Sequence, residues 1–205
     1  MVLVSRSRIR DGLDRVQERG AAFIESALDR EVARKVALES SRGTFERLTE
    51  REGRARQDGE YFMLAGDMDG YPLIQHLCRE LETVINEQGA HFTGLESWHP
   101  NETWVQRYRG AGAGVTVHKD LKRYRLLIAV FTVKGTATFT VCQNRVGDTE
   151  AVWEAGPGSL VLLRGPDFGS VDDGRPLHAV GGPSHGERIS VSYRMNSRPE
   201  SRAVA

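Results

Sequence analysis

Two side chains able to bind a divalent cation, His118 and Asp120, stand one residue apart in the run VHKDL. In an extended chain alternate side chains share a face, so the imidazole and the carboxylate can address one ion. A second histidine completes a two-histidine, one-carboxylate triad, a donor set that suits iron(II) and leaves coordination positions open for other ligands and oxygen. By itself His-x-Asp reads equally as a surface turn, so the third ligand must come from context. Of the six histidines, His178 lies in the late apolar run RPLHAV, where a neighbouring strand can carry it back to the pair. His185, in the turn GGPSHGE, is its rival. His76 falls in a helical stretch, and His91 and His99 precede the β region, where core, surface or substrate-contact roles suit them better.

A second cluster lies close behind His178. In GERISVSYRMN strict alternation sends Arg188, Ser190, Ser192 and Arg194 to one face and Ile189, Val191, Tyr193 and Met195 to the other. A solvated face would make this an ordinary amphipathic strand. Beside a metal site the same face suits an acidic cosubstrate, because guanidinium forks bind carboxylates bidentately. Arg188 is therefore the choice for a distal carboxylate of such a cosubstrate. Ahead of the metal pair, WVQRYR places Trp104, Gln106 and Tyr108 on one face, with Gln106 and Tyr108 as hydrogen-bonding partners of the cosubstrate and Trp104 as an apolar wall or a core residue.

The elements that position these groups divide the chain in two. Up to about Gln88 the pattern is helical, most clearly where Leu73, Leu77, Leu81 and Val84 form a stripe flanked by Ile74 and Ile85. Asp69 is placed to cap that helix ahead of Pro72, and Gly89 to stop it. Ala27 to Leu38 has weaker helical periodicity, and TFERLTEREGRARQDGEYF between the two reads as a solvated connection. From Glu102 the chain becomes short runs rich in Val, Ile, Thr and aromatics between glycine-bearing turns. These give strands at ETWVQRYR, GVTVH, YRLLIAVFTV, TATFTVC, AVWEA, SLVLLRG, LHAVGG and RISVSYRM, which favour a jelly roll or small barrel. The expected organisation is a single domain over 1–205: helical support and loops to 92, a β core over 93–196, and a disordered tail from 197.

The balance of 28 basic and 28 acidic residues argues against a globally basic surface built for a phosphate backbone. No stretch approaches the roughly 18 uninterrupted apolar residues of a membrane span, so the expectation is a cytoplasmic protein without membrane association. Cys78 and Cys142 have neither metal-ligand nor disulfide spacing and read as buried thiols. Nothing in the sequence fixes an oligomeric state.

Taken together, QRYRGAGAGVTVHKD, LLIAVFTVKGTATFTV, GPGSLVLLRG, RPLHAV and RISVSYR resemble the iron(II)/2-oxoglutarate dioxygenases with a double-stranded β-helix core, over Glu102 to Met195. The order looks most like the AlkB-type branch. Gln106 stands where that branch has Asn, Tyr108 where it has Tyr, and Arg188 and Arg194 where it has two arginines, while Ser190 replaces a second Asn. His178 and Arg188 are closer in sequence than is typical of that branch, and no nucleotide-recognition lid is visible. The resemblance implies a mainly β, jelly-roll fold with amino-terminal helices. It also implies Fe(II), 2-oxoglutarate and O2 as cofactor and cosubstrates, with Arg188 on the distal carboxylate and Arg194 supporting the cosubstrate nearer the metal.

Oxidation of a small organic substrate ranks first, either hydroxylation or demethylation. Oxidation of a nucleic acid or nucleotide ranks second, with Arg51, Arg54 and Arg56 near the entrance and a base flipped into the pocket. A non-catalytic barrel that binds a metal or an acid ranks third. Candidate substrate contacts are Tyr61, Phe62, Trp98, Trp104, Arg164 and Phe168, with Lys119 directed to the opposite face of its strand from the two ligands.

Overall fold

The computed structural model describes residues 4–48, 55–64, 68–170 and 173–198. Helix α1 (Arg6–Arg19) buries Ile9, Leu13 and Val16 at helical spacing and ends on Gly20, whose left-handed backbone returns its N–H to the Val16 carbonyl. Strand β1 (Ala21–Ile24) follows directly. Helix α2 (Arg30–Ser40) starts at Asp29, whose carboxylate accepts the Glu31 N–H. Helix α3 (Pro72–Gln88) buries Ile74, Leu77, Leu81, Val84 and Ile85, as the stripe predicts, and stops where Gly89 donates to the Ile85 carbonyl.

The start of α3 differs from expectation. Tyr71, not Asp69, occupies the capping position and makes no side-chain cap. The buried carboxylate of Glu39, on α2, accepts the N–H groups of Leu73 (3.0 Å) and Ile74 (2.8 Å) instead. A neighbouring helix thus satisfies the orphan donors that a local cap otherwise serves.

Eight strands follow: β4 (Glu102–Arg109), β5 (Gly114–His118), β6 (Tyr124–Lys134), β7 (Ala137–Cys142), β8 (Thr149–Ala155), β9 (Leu160–Arg164), β10 (Leu177–Gly181) and β11 (Glu187–Asn196). They coincide with the eight predicted runs to within two residues at each end. Two more strands lie in the stretch read as a solvated connection: β2 (Glu46–Leu48) and β3 (Gln57–Leu64). With β1, they add three strands to an amino-terminal part expected to be mainly helices and loops. Their patterns hide them, since β1 is four residues long and β3 carries Gly59 and mixed burial instead of alternation.

All pairings are antiparallel, in the order β1-β9-β6-β11-β4-β3-β5-β10-β7-β8, with β2 on β3. The path from β1 to β3 forms one wall and β5-β10-β7-β8 the other. Strand β3 crosses between them, pairing with β4 from Glu60 to Leu64 and with β5 at Gln57 and Asp58. At the other side β1 and β8 end the sheet, and Phe23 stacks on Trp153 across the gap at 5.6 Å. This is the jelly-roll, double-stranded β-helix architecture expected.

Two apolar clusters follow from strand alternation. Outward residues such as Leu127, Ala129, Phe131, Ile189, Val191 and Tyr193 pack under the three helices. Inward Ile128, Phe139, Val141, Val161 and Leu163 pack between the walls. Cys78 and Cys142 are buried free thiols, as read, and burial pushes the Cys78 thiol up to about 12. Among the described residues no helix is long and apolar enough to cross a membrane.

Because Glu39 is the buried acceptor for two backbone donors, Glu39→Ala leaves both unpaired. It is expected to destabilise the fold by about 1–3 kcal/mol per orphaned donor, read as a lower denaturant midpoint with unchanged slope.

Candidate metal and cosubstrate site

Register brings the three candidate ligands together. His178 of β10 is the direct cross-strand partner of His118 of β5, and their ring centroids lie 4.3 Å apart. Asp120 sits two residues beyond the end of β5, with Oδ2 3.4 Å from His178 Nε2. One ligand atom from each of His118, Asp120 and His178 lies within 4.8 Å of the others, and this is the one such group of three metal-binding side chains among the described residues. His185 is exposed in its turn and stands outside the group, as do His76, His91 and His99, which are exposed beside Glu80, Asp14 and Glu82 respectively.

Each imidazole is oriented by its own chain. His118 Nδ1 lies 2.8 Å from the Thr116 carbonyl and His178 Nδ1 3.3 Å from the Pro176 carbonyl. A proton on each Nδ1 leaves both Nε2 lone pairs free to ligate, the arrangement that metal-binding histidines use. Burial, then the His118 ring, depresses His178 to about 4. Burial alone would raise the Asp120 carboxyl, but His178, His118, Arg194 and Arg175 outweigh it and hold the group ionised. Two imidazole nitrogens and one carboxylate oxygen fit an iron(II) ion with open positions.

The cavity of about 170 Å³ around this group is lined by the inner faces of β4, β5, β6, β10 and β11. Alternation placed Trp104, Gln106, Tyr108, Arg188, Ser190 and Arg194 on one surface, and the structure brings all six to this cavity. Arg188 is 2% exposed and donates to the hydroxyls of Ser190 (3.2 Å) and Thr132 (2.9 Å), while its Nε has no partner. Desolvation lowers it to about 10, and no carboxylate among the described residues compensates the charge. Arg194 lies between the rings of Trp104 and Tyr124, 5.1 Å from each, with Nε and Nη1 unpartnered. Buried guanidinium donors without acceptors fit a dicarboxylate ligand such as 2-oxoglutarate.

Four supporting residues escaped sequence reading. Gln57 of β3 donates to the Tyr108 hydroxyl at 2.9 Å, which turns the phenolic proton toward the cavity. Gly59 lets the Tyr108 ring pack on the strand, since a Cβ there would meet the ring at 2.6 Å. Thr132 was the lone hydroxyl on the inner side of the apolar run LLIAVFTV, opposite Ser190, and that signal was available. Arg175 grips Asp173 through Nε and Nη2 (2.7 and 2.8 Å) and donates Nη1 to the backbone carbonyl of Asp120. It ties the segment leading into β10 to the carboxylate ligand, and no sequence pattern announces it.

The predicted substrate contacts fare unevenly. Trp104 lines the cavity, donating its indole N–H to Glu102 at 2.6 Å, and Tyr61 stacks behind it at 4.8 Å. Phe62, Trp98 and Phe168 are instead core residues: Phe62 packs on Phe45 and Tyr71, Trp98 donates to the Leu127 carbonyl, and Phe168 packs on Phe92. Arg164 binds the Gly174 and Gln17 carbonyls outside the cavity. Their apolar or strand-end positions resembled pocket residues because core and pocket draw on the same side chains. Lys119, expected on the far face, lines the cavity. It follows the last residue of β5, where the alternation of the strand no longer governs direction. Arg51 and Arg54 lie outside the described residues; Arg56 is exposed beside β3.

No family model and no curated protein matches this sequence. Solved structures do share its fold. A Trichoplax adhaerens prolyl hydroxylase, solved with a hypoxia-inducible factor oxygen degradation domain peptide, aligns over 94% of this chain and 91% of its own at 16% identity and TM-score 0.66. A 2OG-Fe(II) oxygenase family oxidoreductase from Burkholderia pseudomallei aligns over 93% and 90% at 15% identity and TM-score 0.63. OsALKBH1 aligns over 86% and 98% at 13% identity and TM-score 0.58. The chain therefore has the fold of the 2-oxoglutarate and iron(II) oxygenases, as the sequence resemblance implies. Within that class these likenesses span a prolyl hydroxylase and a protein of AlkB name, so they define the architecture and single out no branch.

If Arg175 sets the position of Asp120, Arg175→Met should weaken metal binding by roughly 10-fold or more while leaving the melting transition cooperative. Titration of the protein with Mn(II), followed by electron paramagnetic resonance, checks this; an unchanged affinity removes Arg175 from the site.

Proposed function

We propose that this chain is an Fe(II)- and 2-oxoglutarate-dependent oxygenase that hydroxylates, or oxidatively demethylates, a small organic substrate. The observation that carries the proposal is a His-Asp-His group and two buried guanidinium groups without a carboxylate partner among the described residues, lining one cavity inside this fold. When bound, the iron and 2-oxoglutarate supply oxygen activation, with 2-oxoglutarate leaving as succinate and carbon dioxide.

The residues of the chain then have separable tasks. His118, Asp120 and His178 would hold the metal. Arg188, with Ser190 and Thr132 fixing its fork, takes the distal carboxylate, and Tyr108 donates its phenolic proton to the same ligand with Gln57 behind it. Arg194 and Gln106 support the end nearer the metal. The apolar inner wall, including Ile128, Val130 and Leu163, excludes water from the reacting centre.

A nucleic-acid or nucleotide substrate is the runner-up reading, and a non-catalytic barrel the third. Succinate release that depends on Fe(II), and that His118→Ala and Asp120→Ala abolish, supports the oxygenase reading; no Fe(II) binding and unchanged 2-oxoglutarate turnover in those variants would sink it. Demethylation of methylated oligonucleotides moves the second reading to first place. For Arg188→Met the 2-oxoglutarate requirement should rise by about tenfold or more, the cost of losing a charge-assisted fork.

A further inference from the structure

Resting on the oxygenase reading, the charge inventory of the cavity goes further than its cosubstrate. Four cationic side chains line it, Lys119, Arg123, Arg188 and Arg194, and for Lys119, Arg188 and Arg194 no carboxylate lies within ion-pair distance among the described residues. The lining contains one carboxylate, Asp120. The two charges of Fe(II) and the two of 2-oxoglutarate cancel, so a loaded site keeps the four cations of its lining against the one acid. Arg188 and Arg194 already face the cosubstrate, whereas Lys119 makes no ion pair among the described residues: its charge reaches Asp173, but that carboxylate is held by Arg175. Lys119 is half-buried on the segment between the two ligands His118 and Asp120, beside the metal itself. A cation held in a partly desolvated cavity favours an anion there, and the excess field draws one in.

The neighbouring space carries the same sign. A second hollow of about 470 Å³ shares Gln57, Val115 and Val180 with the metal cavity and adds Arg47, Arg56 and Asp58. Arg47 reaches Asp58 only at 4.0 Å, with both side chains largely exposed, and the Arg56 guanidinium has no acidic partner among the described residues. Positive charge thus stands on both sides of the shared residues Gln57, Val115 and Val180.

We infer that the primary substrate is a small organic anion, a carboxylic acid or a phosphate ester, and that Lys119 is the residue that selects it by pairing with its acid group next to the metal. The cavity and the hollow together hold a molecule of modest size, and nothing in the lining offers a carboxylate to receive a cationic substrate apart from the ligand Asp120 and the rim Asp58.

The test uses the full chain loaded with Mn(II), kept below the protein concentration, and 2-oxoglutarate. Mn(II) supports no turnover and broadens the magnetic resonance lines of any molecule held near it. The probes are phenylacetate, its neutral isostere phenylacetamide, and inorganic phosphate. Broadening of phenylacetate or phosphate, but not of phenylacetamide, is expected; the anion that broadens at lower concentration tells carboxylate from phosphate chemistry. Lys119→Met should weaken that anion about tenfold, the scale of one charge-assisted contact, and Lys119→Arg should restore it. Broadening of the amide equal to that of the acid, no broadening by either anion, or unchanged anion binding in Lys119→Met overturns the inference. A titration of the Mn(II)-loaded protein with 2-oxoglutarate, read by broadening of the 2-oxoglutarate lines, comes first and separates the two levels. Failure at that step removes the oxygenase reading and this inference with it, whereas cosubstrate binding without anion binding removes the inference alone.

Discussion

A guanidinium taken out of water costs several kcal/mol unless an opposite charge meets it, and β11 takes two of them out. That constraint organises the molecule. Strand β11 lies between β4 and β6, so one of its faces must be covered by helices and the other enclosed by the opposite wall. Its outward Ile189, Val191 and Tyr193 anchor the helical layer, with the Tyr193 hydroxyl donating to the Ile74 carbonyl of α3. Its inward Arg188 and Arg194 receive only hydroxyls and aromatic rings from the protein. The barrel thus folds around a deficit of negative charge that only a ligand makes good. Stability given up at this point is affinity held in reserve for that ligand.

Much of this was legible from residue order. Period-two alternation in RISVSYR and WVQRYR stated which side chains share a surface before any pairing was known, and a β-strand allows only two choices. The ligand pair His118 and Asp120 was legible for the same reason, and His178 became so once the late runs were read as strands. The jelly roll followed from eight short β runs without intervening helices. Composition served less well: zero net charge over the whole chain says nothing of a local surplus inside one cavity.

What escaped reading was held by tertiary partners. Glu39 caps a helix from another helix, over thirty residues away. Gln57 and Gly59 matter only through a tyrosine on the adjacent strand, and Arg175 only through the backbone of Asp120. Phe62, Trp98 and Phe168 looked like pocket candidates because burial of aromatic rings is common to cores and binding sites. Lys119 looked outward because alternation was carried one residue past the end of its strand.

Strand β3 gives the site a further property. It is the strand through which the two walls are hydrogen-bonded to each other, by Gln57 and Asp58 on one side and Glu60 to Leu64 on the other, and the same Gln57 and Gly59 seat Tyr108. Closing the barrel and presenting the phenol are therefore one event. Linkage then makes occupancy and closure reciprocal: whatever free energy the bound ligand gains from Tyr108 it returns as resistance of β3 to fraying. A seam in the architecture becomes a latch, drawn shut by the molecule it admits.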